Sequence, residues 1–150
     1  MLDGLFVTPA VTAVTEALRS ERADEGKLAV VGNAKLATAL VRGVDGAREV
    51  VAVGLSARAA KKHPTALVDL SSIEARSLAG VVGVDVASRE DWEAALRDWS
   101  RAVRDGGALV LVDRGRAAEA SRRALCAGLT ELEQRRAGRL VITSGLVSHL

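Results

Sequence analysis

Few residues in this sequence could carry chemistry, and they lie far apart. Cys126 is the only cysteine, which excludes an internal disulfide and a Cys-rich zinc site. It falls in the apolar stretch Ala124-Leu125-Cys126-Ala127, where the expectation is a buried structural thiol and not a nucleophile. His63 precedes a proline and His149 is next to last, a placement without metal-ligand spacing, so no metal is expected. A Ser-His-Asp arrangement can be drawn only by ignoring the order of the elements. Two carboxylates are better placed, Asp69 and Asp85, each after a short apolar run; Asp113 also ends one, but strand-end acids are common. A carboxylate at a strand end can accept hydrogen bonds from a ligand, or it can serve the chain as a cap or turn residue. Gly32-Asn33-Ala34-Lys35, after Leu28-Ala29-Val30-Val31, puts a glycine at a strand-to-helix turn. It lacks the two further glycines of the dinucleotide fingerprint, and no Gly-rich loop ending in Lys-Ser or Lys-Thr exists, which argues against a nucleotide triphosphatase.

These residues depend on the elements that carry them. Thr8-Pro9 followed by Val11, Val14 and Leu18 at helical spacing predicts a helix over about 9–22. Leu28–Val31 and Val50–Val53 are short apolar runs, the mark of strands buried on both faces. Helices are expected over Lys35–Val41, closed by Gly43, and over about 57–62, stopped by Pro64. Ala66-Leu67-Val68 reads as a third strand and Val81–Val84 as a fourth. Ser88 and Asp91 suggest a capping box ahead of a helix whose apolar face is Trp92, Ala95, Leu96, Trp99 and Val103, with Gly106-Gly107 as its stop. Ala108–Val112 is a fifth strand, and an Ala/Arg helix over about 116–127 ends at Gly128. Leu129–Arg135 and Leu140–Val147, separated by Ala137-Gly138, look like an antiparallel pair. Alternating strands and helices with a closing hairpin predict an α/β domain with a mostly parallel sheet covered on both faces.

Composition narrows the function classes. At 150 residues the chain is expected to form one domain spanning 1–150. Aromatic residues make up only 2%, so the core must be aliphatic, and the net charge of +2 is small. Lys61-Lys62-His63 and Arg135-Arg136 are short basic clusters that read as solvated surface. Without a basic stripe or stacking aromatics, no nucleic-acid partner is expected. No secretory signal is apparent and no apolar run is long enough to span a bilayer, so no membrane partner is expected and a cytoplasmic location is the default.

The C-terminal half resembles the class I (Rossmann-like), S-adenosylmethionine-dependent methyltransferases. The run from Trp92 through Gly106-Gly107 to Asp113 is similar to that family's helix, glycine turn and fifth strand. Ala127-Gly128-Leu129-Thr130 and Arg139–Gly145 resemble its final turn and strands. The resemblance implies a three-layer fold with a seven-stranded sheet, six strands parallel and one antiparallel near the edge. It also implies a cofactor at the C-terminal ends of the first strands.

Carried onto those positions, the family pattern is largely eroded. Gly32 matches the first glycine of the cofactor loop, but Asn33, Ala34 and Lys35 replace the open turn, and the usual acid falls on Ala29 or Val30. The acid that would accept from both ribose hydroxyls falls on Gly54. Hydrogen bonds to a charged acceptor contribute ~1.5–3 kcal/mol each, so losing both costs on the order of 2–6 kcal/mol. A micromolar affinity corresponds to about 8 kcal/mol. Asp69 matches the family's acid near the adenine amino group, with a cap or turn ahead of Ser71-Ser72-Ile73-Glu74 as the other reading. Asp85 sits where members place substrate-facing residues, or is a solvated strand-end carboxylate. The candidate cofactor-binding positions are therefore Gly32, Asn33, Gly54, Asp69 and Asp85, with no catalytic residue.

The expectation is a degenerate, non-catalytic binding, scaffolding or regulatory protein that needs no cofactor. The alternative is an active S-adenosylmethionine-dependent methyltransferase with unconventional contacts from Asn33, Lys35 and Asp69. A protein partner or self-association is expected, because Leu2–Val7 and Leu146–Leu150 are apolar for chain ends; they are either tied into the sheet or form a contact face.

Overall fold

β1 (Leu28–Val31) is apolar and buried at every position. Such a strand has no solvent face and belongs inside a sheet covered on both sides. A computed structural model, which describes residues 10–18, 26–43, 49–63 and 65–149, places it there. β1 pairs in parallel with β2 (Val50–Val53) on one side and β3 (Leu78–Val84) on the other. β3 continues in parallel to β4 (Val103–Asp113). The chain then closes with β5 (Thr130–Ala137) and β6 (Leu140–Leu146), which form a hairpin, β6 lying antiparallel to both β4 and β5. The six-stranded sheet has the order β2-β1-β3-β4-β6-β5.

Helices cover both faces. Residues 10–18 form α1, followed by α2 (Ala34–Gly43), α3 (Ala57–Ala60), α4 (Trp92–Ala102) and α5 (Ala117–Cys126). Val14 and Leu18 of α1 and Leu36 and Leu40 of α2 share one core layer with Leu28, Val30, Val82, Val110 and Ile142. Leu96 and Trp99 of α4 and Ala124 of α5 share the other with Ala29, Val31, Val81, Leu109 and Leu111. Neighbouring strand residues alternate between the layers, as the two-residue period of a strand requires. Each fully buried Leu or Val contributes roughly 1.5–3 kcal/mol, and these two layers hold the sheet between its helices. The result is the three-layer, mostly parallel arrangement that the resemblance implies.

Several expectations need correction. Ala66-Leu67-Val68 is not a strand of the sheet; it makes one parallel bridge, Leu67 to Val53, so among the described residues the sheet has six strands and not seven. The run is too short to continue, since Val68 is 89% exposed and Asp69 already turns the chain. β3 begins at Leu78, three residues before the expected start. Ser88 does not cap α4. It ends a 3-10 turn (Val86–Ser88), donates its hydroxyl to the Asp85 carbonyl at 3.2 Å, and leaves Asp91 as the N-cap position. Asp91 gives no side-chain cap because Arg89 engages both of its carboxylate oxygens, at 2.5 and 3.1 Å.

Gly106-Gly107 does not stop α4 either, because the helix has already ended at Ala102. The pair instead sits in an irregularity where β3 pairs with β4. Gly106 adopts φ +79, and its N–H and the carbonyl of Gly107 bond Val147 at 2.8 Å each. At Gly107 a Cβ would stand 2.7 Å from the Ala79 carbonyl oxygen, so only glycine fits. Val147 is thereby tied to the sheet, and the His149 N–H bonds Asp105 at 2.9 Å. Thr8-Pro9, Leu2–Val7, residues 19–22 and Leu150 lie outside the described residues.

Candidate functional site

The carboxyl ends of β1 and β2 open onto a cleft of about 610 Å³. One wall is Gly32, Asn33, Ala34 and Lys35, where β1 turns into α2; the other is Leu55, Ser56, Arg58, Lys62 and His63, from the segment after β2. This is where ligands bind in open α/β sheets. The Gly32 N–H donates to the Val53 carbonyl at 2.9 Å, which fixes the two strand ends together. Asn33 caps α2, its Oδ1 accepting the Leu36 N–H at 2.9 Å. Ser56 does the same for α3, its Oγ accepting the Ala59 N–H at 3.3 Å. Lys35, Arg58 and Lys62 bring positive charge to the walls, and among the described residues no carboxylate lines them.

Gly54 lies just before the lining residue Leu55. Its backbone is left-handed (φ +65), and its N–H donates to the Leu67 carbonyl at 2.9 Å. That bond and the following Leu67–Ala52 bond fasten the short bridging segment to the edge of β2.

Asp69 and Asp85 do not line the cleft. Asp69 is exposed and closes a local turn, its Oδ1 accepting both the Ser71 N–H (2.9 Å) and the Ser71 hydroxyl (2.5 Å). These two bonds hold its carboxyl below the ordinary range. The turn-residue reading of Asp69 is the one the geometry matches. Asp85 is exposed, left-handed (φ 60), and bonds the Val112 carbonyl through its N–H at 2.8 Å.

The carboxyl ends of β3 and β4 carry the residue that sequence reasoning passed over. Asp113 is only 2% exposed. Its Oδ1 accepts the Ala87 N–H at 2.8 Å, while Oδ2 has no hydrogen-bond partner. Burial pushes its carboxyl above the ordinary range and the Asp85 charge adds to this, against the Ala87 N–H and the charges of Arg123 and Arg116. Arg123 closes the same end from α5. It donates to the carbonyls of Val86 (2.6 Å) and Arg89 (2.8 Å), pairs with Glu119 (2.7 Å), and stacks 5.1 Å from the Trp92 ring centroid. The available signal for Asp113 was the run of five apolar residues that it ends. A residue in register with such a run can be drawn into the core.

A second depression, of about 740 Å³, lies along α4 and α5, away from the strand ends. Trp92, Arg97, Arg101, Arg122, Cys126 and His149 are among its walls. Cys126 is exposed there and not buried as expected: Ala120 and Ala124 mark the inner face of α5, and Cys126 falls on the outer one. His149 is occupied by the Val103 carbonyl, 2.7 Å from its Nε2. His63, in contrast, lines the first cleft, so the two histidines belong to different regions. Among the described residues, no helix is long and apolar enough to cross a membrane.

No protein-family model matches the sequence, and no curated protein matches it. Solved structures do match, and they are methyltransferases. The DszA carbon methyltransferase superimposes with a TM-score of 0.70 at 10% identity, over 94% of this chain and 53% of that one. The CurJ carbon methyltransferase gives 0.71 at 9% identity, over 98% and 57%. This chain thus spans little more than half the length of either. An S-adenosylmethionine-dependent methyltransferase of Thermotoga maritima gives 0.64 at 15% identity, over 93% of this chain and 92% of that one. At these identities the likeness establishes the fold: the chain has the class I methyltransferase architecture.

Proposed function

We propose that this protein keeps the methyltransferase fold without its cofactor chemistry, and serves as a non-catalytic binding, scaffolding or regulatory protein. The observation that carries this reading is the charge of the cleft: Lys35, Arg58 and Lys62 line it, and among the described residues no carboxylate does. S-adenosylmethionine is a net cation, with a sulfonium and an ammonium against one carboxylate, and brings a ribose diol that needs an acceptor and an adenine amino group that needs another. The position where the diol acceptor would stand is Gly54, with a left-handed backbone and no side chain. Each like-charge approach at 4–8 Å costs on the order of 0.5–1 kcal/mol in water and more against protein walls. Together with the missing ribose bonds, at roughly 2–6 kcal/mol, this offsets most of a micromolar affinity. The residues present do not fit the cofactor.

Asn33 and Asp69, which an active enzyme would need as substitute contacts, already serve the chain as a helix cap and a turn acceptor. A protein of this kind acts through a surface, against a protein partner or a second copy. Equilibrium dialysis against radiolabelled S-adenosylmethionine at low ionic strength tests the reading. No retention is expected, whereas a Kd tighter than about 100 μM would overturn it and restore the methyltransferase alternative.

A further inference from the structure

We propose that β5 is the docking edge for a second copy of this chain, added antiparallel about a two-fold axis at Gln134. The proposal deepens the reading that the protein acts through a surface, and rests on it for what that surface serves.

The two edges of the sheet differ. Beside β2 the short bridging segment covers the edge, the Gly54 N–H donating to the Leu67 carbonyl and the Leu67 N–H to the Ala52 carbonyl, each at 2.9 Å. β5 closes the opposite side, and among the described residues β6 is the one strand paired with it. Ala137 and Leu140 face each other across the two-residue turn Gly138-Arg139. Such a closing pair exchanges hydrogen bonds, and bonded pairs then alternate with open ones. Gln134 and Arg136 therefore fall at open positions, with N–H and C=O groups directed away from β6. An edge of this kind is a template for another strand.

The charge order along β5 names the occupant. Edges are often guarded by lysines, which repel a like strand. β5 instead carries Glu131 and Glu133 in its first half and Arg135 and Arg136 in its second. An antiparallel copy sets acid against base, twice by symmetry. With the axis at Gln134, Glu133 of each copy stands opposite Arg135 of the other. Moving the axis one residue either way would oppose Glu133 to Glu133 or Arg135 to Arg135, and like charges directly opposite destabilise a strand pair. Arg135 already pairs with Glu133 and Glu16 of its own chain, at 2.8 and 3.6 Å. The opposing charges thus select the register, and the outward backbone groups supply the attraction. A bulge between Thr130 and Glu133 ends the regular pairing, so the contact is small and the association weak. It closes at two chains, because a two-fold contact uses the same edge of both.

Sedimentation velocity of the full chain over about 5–500 μM tests this. The mass should move from one chain to two and stop there, with half-association on the order of 100 μM. Arg136→Pro removes an outward N–H and should weaken association at least about tenfold, with the fold verified by circular dichroism. Glu133→Arg and Arg135→Glu should each weaken it as well, and an equimolar mixture of these two should associate again, since acid then faces base at both places. A single-chain mass throughout, growth beyond two chains, association unchanged by Arg136→Pro, or a mixture no better than its components would overturn the proposal. The axis has its own check. In a Cys126→Ser background, Gln134→Cys should link two chains under oxidised glutathione and Arg136→Cys should not; the reverse would overturn the register. S-adenosylhomocysteine added to the same samples separates the two readings. Its co-sedimentation with an intact dimer defeats only the non-catalytic reading, and a monomer that carries none of it defeats only the edge pairing.

Discussion

The two halves of the sheet end differently at the same edge. At β1 and β2 the strands are four residues long, the turns beyond them are built from Gly32 and Gly54, and the space above is an open basic cleft. At β3 and β4 the strands run for seven and eleven residues, and the chain fills the space itself. There the 3-10 turn folds over, Asp113 bonds it from below, and Arg123 bonds it from α5. At that end Asp113 Oδ1 and the Arg123 guanidinium are taken up by the chain itself. The other end is held by backbone bonds, Gly32 to Val53 and Gly54 to Leu67, and by the caps of Asn33 and Ser56. On the reading proposed above, stability and the open cleft are divided between the two halves, and neither end takes S-adenosylmethionine.

Four perturbations sharpen that division or break it. The largest effect is expected from Trp99→Ala, since Trp99 is 4% exposed and packs directly over Gly83. It should cost about 3–5 kcal/mol in urea unfolding. Gly107→Ala follows, because the new methyl would meet the Ala79 carbonyl and the Val103 side chain. Its expected loss is about 1–3 kcal/mol by the same measurement.

The third test is pH dependence, where two acids of the β3/β4 end act in opposite directions. Glu119 is drawn down to about 2 from an ordinary 4.5 by hydrogen bonds from Arg122 and Arg123. Its contribution is fully present above the ordinary value and lost as pH falls through about 2. Glu119→Gln should remove that part of the acid sensitivity. Asp113 is raised by burial, so the folded form holds its proton to higher pH than the unfolded chain does. Stability therefore declines as pH rises from the ordinary aspartate range through the folded value. Asp113→Asn keeps an oxygen for the Ala87 N–H and should flatten that decline in thermal melts across pH.

The smallest effect belongs to the cleft. Arg58→Ala and Lys62→Ala, both exposed, should each change stability by less than about 0.5 kcal/mol. A loss comparable to that of Trp99→Ala would mean that the cleft is structural after all.

Much of the fold was legible because apolar strands announce themselves, although Val50–Val53, expected to be buried on both faces, lies at the sheet edge and is fully buried only at Val53. Leu28–Val31, Val50–Val53 and Ala108–Val112 are unbroken apolar runs, and α4 carries its apolar face at helical spacing. The third strand was not legible. Ala66-Leu67-Val68 has the composition of a strand, but only Leu67 finds a partner once Asp69 and Ser71 close their turn. Cys126 shows a similar limit: its neighbours are apolar, yet the helical period puts it opposite Ala120 and Ala124.

At the candidate site, chain order placed Gly32, Asn33 and Lys35 on what is now a cleft wall. It could not say that the Asn33 carboxamide would be taken by the Leu36 N–H. Lys61 and Lys62 are exposed, as the solvated-surface reading has it; that Lys62 and His63 also line the cleft is something nothing local reveals. The burial of Asp113 likewise depends on a turn 26 residues away in sequence.

The most direct discrimination comes from the ¹H–¹⁵N correlation spectrum of the labelled chain, titrated with S-adenosylhomocysteine. The spectrum should stay unchanged, the amides of Gly32, Asn33, Lys35, Arg58 and Lys62 included. Saturable shifts at Gly32, Gly54 and Leu55 would contradict the reading proposed for the cleft, and would return it to the cofactor.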